Sequence, residues 1–125
     1  MVLNKPWTDI SPAALEDLPG ALGVFELRDP GGDISYIGFA GGRTRYGLRS
    51  AITDSIDQLS ASGARPDGFR YEVNQMYLTR YIEVLEKYIQ AAGNIPPGNR
   101  APGAYIPNVI HHKLERIRHS QKDAL

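Results

Sequence analysis

Gly23-Val24-Phe25-Glu26-Leu27-Arg28-Asp29-Pro30-Gly31-Gly32-Asp33-Ile34-Ser35-Tyr36-Ile37-Gly38 is the stretch on which the reading of this chain turns. Gly23 to Arg28 alternates and carries the β-favouring Val24 and Phe25, and Ile34 to Gly38 reads as a second strand. Between them Pro30-Gly31-Gly32-Asp33 is a dense turn signal. The stretch therefore predicts a β-hairpin whose far end opens into Gly41-Gly42.

Upstream, Ser11-Pro12 followed by Ala13-Ala14-Leu15-Glu16 supplies an N-cap and a first-turn proline, and Pro19-Gly20 closes the segment, so a short leading helix is expected. Downstream, Leu48, Ile52, Ile56 and Leu59 recur at helical spacing within about 46–60, the apolar stripe of an amphipathic helix. Phe69-Arg70-Tyr71-Glu72-Val73 alternates as a half-buried strand with Glu72 toward solvent. Leu78, Tyr81, Ile82, Leu85, Ile89 and Ala92 give the clearest helical stripe, ended by Gly93-Asn94. Pro96-Pro97-Gly98-Asn99 is irregular, and a last helix over about 107–119 buries Ile106, Ile110, Leu114 and Ile117. The order helix, strand, strand, helix, strand, helix, loop, helix predicts an α+β fold, a mixed α/β layer structure. Its sheet is small, mostly antiparallel and three-stranded, flanked by helices.

The length of 125 residues suits one domain, spanning 1–125. A hydrophobic content of 42% beside 22% charged residues is ordinary globular composition. No apolar run approaches the roughly 18 residues of a spanning helix, and the first residues lack the pattern of a secretory signal. Zero cysteines exclude a disulfide framework, a thiolate zinc site and a cysteine nucleophile. A cytoplasmic protein with no membrane partner is the expectation. The 14 basic and 14 acidic residues balance, which argues against tight nonspecific binding of nucleic acid. Their distribution is uneven. The first third is acidic, Arg43, Arg45 and Arg49 cluster in the middle, and Arg100, Lys113, Arg116, Arg118 and Lys122 make the end basic.

The triplets Gly23-Val24-Phe25 and Tyr36-Ile37-Gly38, the arginine-bearing helix, the third strand, and a glutamate helix ahead of Pro96-x-x-Asn99 together resemble a GIY-YIG nuclease domain. The resemblance is to the module found in excinuclease C and in homing endonucleases. It covers residues 22–99, leaving 100–125 as a C-terminal loop and basic amphipathic helix. It implies a GIY-YIG-like fold and metal-dependent endonuclease cleavage of a nucleic-acid phosphodiester, with DNA the expected substrate and one Mg²⁺ or Mn²⁺ ion. A metal polarises the phosphoryl oxygens, a guanidinium matches the spread phosphate charge, and a tyrosine passes a proton to or from water.

Carried over by position, the resemblance makes Tyr36 the proton-transfer residue, Arg49 or Arg45 the phosphate-holding arginine, and Glu86 or Glu83 the metal ligand. Phe25 stands where the family has its first tyrosine, and Phe39 where a lysine is frequent. Arg43, Arg45, Lys113 and Arg116 are the candidate nucleic-acid contacts. Glu83 has Lys87 four residues on, a surface pair that explains it without chemistry, whereas Glu86 has no such neighbour. The adjacent His111 and His112 point about 100° apart on a helix and lack metal-site spacing. A second reading follows from Phe25, Phe39 and the zero net charge: a catalytically silent member that binds nucleic acid or protein. A cleft for a small phosphorylated ligand is a third. A protein partner and the oligomeric state are left open.

Overall fold

A computed structural model describes residues 3–123. In chain order the elements are β1 (Thr8–Asp9), α1 (Pro12–Glu16), β2 (Gly23–Arg28), β3 (Ile34–Ala40) and α2 (Gly47–Ala61). There follow β4 (Gly68–Val73), α3 (Tyr77–Ala92), a 3₁₀ turn (Pro97–Arg100) and α4 (Asn108–Asp123). The fold is α+β, with a sheet of order β1-β4-β2-β3 whose neighbours are all antiparallel. The hairpin forms as expected, with Gly23 opposite Ala40 and Leu27 opposite Tyr36. The fourth strand, β1, is two residues long, too short to show any alternation, and it pairs Thr8 with Phe69 at the outer edge of β4. Among the described residues no helix is long and apolar enough to cross a membrane.

β2 lies between β3 and β4, and its residues Gly23 through Leu27 are buried. Alternate side chains leave a strand on opposite faces, so both faces of β2 need a covering layer. On one face Phe25, Leu27, Ala40 and Phe69 pack with Leu48 and Ile52 of α2 and with Leu18. On the other, Val24 and Ile37 pack with Tyr81, Val84, Leu85 and Ile89 of α3 and with Ile110 and Leu114 of α4. The apolar stripes of α2 and α4 follow the predicted spacing, whereas on α3 Tyr81, Leu85 and Ile89 are buried as expected, Leu78 and Ala92 are exposed, and Val84, outside the predicted stripe, is buried. Gly93 ends α3 at φ 79°, its N–H donating to the Ile89 carbonyl at 2.7 Å.

Two polar features hold this frame, one at the β3 edge and one within the sheet. The exposed edge of β3 is closed by Asn99, 2% exposed, whose amide accepts from the Ile37 N–H at 2.9 Å and donates to the Ile37 carbonyl at 2.8 Å. One side chain thus takes the place of a fifth strand. On the α3 face of β2, Glu26 is wholly buried, and one of its oxygens accepts from Arg70 Nε at 2.5 Å and from the Leu3 N–H at 3.4 Å. Arg70 also donates to the Lys5 carbonyl at 3.1 Å and lies 4.0 Å from the Trp7 ring. The segment 3–9 is thereby strapped to the sheet. Burial pushes the Glu26 carboxyl above its usual range, against the opposing pull of Arg70.

Asn99→Ala removes both edge bonds and strands a buried N–H and C=O, so it should lower unfolding free energy by about 2 kcal/mol. Urea denaturation checks this, and a loss within error would mean that the edge is held by the surrounding packing instead. Arg70→Met leaves Glu26 buried without its counter-charge and should cost about 3–5 kcal/mol, most of it recovered in the Glu26→Leu/Arg70→Met double variant. The same denaturation series reads that recovery.

Candidate functional site

Tyr36 leaves β3 on the α2 side of the sheet, its ring 5.9 Å from that of Phe25. The two rings fill the space above Gly38, where a Cβ would run into both of them. The glycine of the second triplet is therefore a packing requirement. Phe25 is 1% exposed and belongs to the core. Burial raises the Tyr36 phenol above its usual range, with the Ser55 hydroxyl of α2 opposing the rise.

The three arginines differ in what they do. Arg49, in the first turn of α2, donates its Nε to the Leu18 carbonyl at 3.0 Å and so ties α2 to the end of α1. Ser55, which meets Tyr36, is six positions further, about 9 Å along the axis and on another side of the helix. Arg45 and Arg43 lie exposed on the turn before α2. Arg45 sits 5.1 Å over the ring of Tyr46, a residue held in the left-handed region at φ 62°. That conformation is rare for an aromatic residue, and it turns the ring outward so that 61% is exposed.

Glu83 and Glu86 lie on α3, in the layer on the other face of the sheet from Tyr36 and Arg49. Glu83 pairs with Arg80 at 3.2 Å, and not with Lys87 as its spacing suggested. Arg80, one turn before Glu83 on the same helix, also holds Glu72 of β4 at 2.9 Å. Glu72, expected to face solvent, is consequently half-buried beneath α3, its carboxyl held below the usual range by Arg80 and Asn74 against burial. Glu86, without a partner on its own helix, faces Lys113 of α4 at 3.8 Å. Among the described residues no three carboxylates or imidazoles converge as a metal cage. Each candidate carboxylate faces a cation, and neither shares a face with Tyr36. Both carboxylates thus lie in the layer away from the tyrosine.

Of the C-terminal candidates, Lys113 is engaged by Glu86, whereas Arg116 is exposed. Arg118 lines a cavity of about 380 Å³ with Arg100, His111 and the buried Asn99. A larger cavity of about 570 Å³ opens near the hairpin turn, lined by Trp7, Arg70, Lys87, Tyr88 and the acidic Asp29 and Asp33 among others. Three groups carry structure without any sequence pattern to announce them: the Glu26–Arg70 pair, the Trp7 strap, and an aromatic cluster of Phe39, Tyr77, Tyr81 and Tyr105. The alternation of residues 69–73 did mark Arg70 as a side chain on one face, yet nothing in it distinguished a buried arginine from a solvated one.

The architecture is thus a helix-covered antiparallel sheet with an exposed arginine turn at one end. The chain belongs to the family described as Domain of unknown function (DUF7508), whose model matches residues 1–90. That match takes in the strap, the whole sheet, α2 and both glutamates of α3, while Asn99 and α4 lie beyond it. No curated protein and no solved structure matches the chain.

If Arg49 anchors α1 to α2, Arg49→Ala should lower unfolding free energy by about 1 kcal/mol. Thermal or urea unfolding measures it. An unchanged stability would release Arg49 from that anchoring role.

Proposed function

We propose that this chain is a nucleic-acid-binding module on a GIY-YIG-like scaffold, which holds phosphates without cleaving them. One observation supports this reading above the others. Arg43 and Arg45 stand exposed on the turn before α2 with no ion pair among the described residues, while the residues that cleavage would need are divided between the two faces of the sheet. Endonuclease action would require Tyr36, an arginine and Glu86 or Glu83 around one phosphate with Mg²⁺ or Mn²⁺. Phosphate binding requires only the cations. Zero net charge keeps the sequence-independent affinity modest and sensitive to salt. With no cysteine to protect or pair, the cytoplasm is the compartment we assign to this activity.

Fluorescence anisotropy with labelled single-stranded and duplex DNA and RNA, over a range of salt, tests the reading. The wild type should bind, and Arg43→Gln/Arg45→Gln should reduce the magnitude of the log–log salt slope by about 1.4–1.8. An unchanged slope would remove these arginines from the interface. Absence of binding to every form would overturn the reading.

A further inference from the structure

Phe39 leaves β3 on the α3 side, where the ring of Tyr77 stacks on it at 5.7 Å with 13° between planes. Tyr105, on the segment leading into α4, meets the same ring edge-on at 6.0 Å. Together with Leu78 and the turn at Gly41–Thr44 these rings line an open trough of about 530 Å³. The trough is built, not incidental. A Cβ on Gly41 would lie 3.0 Å from the Tyr77 ring, so glycine there lets the ring rest against the turn. The Gly42 N–H donates to the Tyr77 hydroxyl at 3.3 Å and fixes it in place. Yet the outer wall is open, with Tyr105 57% and Leu78 43% exposed.

The charge of the lining selects the occupant. Arg43 is its one charged residue, exposed and without an ion pair among the described residues, and no carboxylate lines the trough. Aromatic walls take a flat π-face, and a lone guanidinium at the rim takes an anion. A nucleotide presents both. In a duplex each base is stacked on both sides and its face is closed to a side chain, whereas an unpaired base is free to enter.

We propose that the trough is a subsite for one unpaired nucleotide of a single strand, its base stacked against Tyr105 and its phosphate on Arg43. This rests on the nucleic-acid reading above and narrows it to single strands. Stacking tolerates every base, so the subsite sets strand form and not sequence.

The test uses the full chain, anisotropy of a labelled oligothymidylate and of a duplex of the same length, and melting curves for each variant. The wild type should favour the single strand. Tyr105→Ala, which trims an exposed ring, should weaken single-strand binding about tenfold and leave duplex binding unchanged. Tyr105→Trp should retain or strengthen it. Gly41→Val, by displacing Tyr77, should weaken it as well. If the wild type binds but Tyr105→Ala and Gly41→Val bind equally well, the subsite is wrong while the wider reading stands. Preference for duplex likewise overturns the subsite alone. Binding to neither form brings down both. If an apolar peptide occupies the trough and displaces no oligonucleotide, the occupant is protein and the inference fails.

Discussion

The central strand β2 has a neighbour on each side and is buried on both faces, and the rest of the molecule answers to that constraint. A strand so placed requires one helical layer over Phe25 and Leu27 and another over Val24 and Ile37. The chain supplies them in order, α2 after the hairpin and α3 after β4. Arg49 on α2 and Glu83 and Glu86 on α3 thus lie in different layers, with Arg43 and Arg45 on the turn before α2.

The same constraint explains the polar exceptions. Val24 and Ile37 make the α3 face apolar, and Glu26 interrupts it at the middle of the sheet. A buried carboxylate is tolerated only with a counter-charge and hydrogen bonds, and Arg70 on the neighbouring strand, with the Leu3 N–H, provides them. Arg70 in turn draws in the Lys5 carbonyl and the Trp7 ring. The N-terminal strap is therefore a by-product of solving one buried charge. At the opposite edge a single amide, Asn99, performs the edge closure that a further strand would otherwise provide.

Much of the fold is legible in the sequence because it is periodic. The Gly-Gly turn between two β-rich runs, and the stripes Leu48–Ile52 and Tyr81–Leu85–Ile89, each repeat a local rule that neighbouring residues satisfy together. β1 is not legible, because two residues hold no period and its pairing with Phe69 is non-local. The site is less legible still. Spacing pairs Glu83 with Lys87, but Arg80, which also holds Glu72 of β4, takes it. Glu86 had no neighbour on its helix, yet α4 brings Lys113 to it. The triplets marked the hairpin correctly and said nothing about which layer would cover each face. Phe39, which read only as a missing lysine, turns out to be the floor of an aromatic trough.

A nucleic-acid-binding module of the kind proposed above holds its substrate without cutting it. The most direct measurement is turnover of labelled single-stranded, duplex and branched DNA, and of RNA, with Mg²⁺ or Mn²⁺. The wild type runs beside an identically purified Glu83→Ala/Glu86→Ala variant, at concentrations where binding is saturated. Intact substrate in both is the expected result. Cutting by the wild type that the double variant loses would contradict it, and would mean that α3 and α2 come to bear on one phosphate after all.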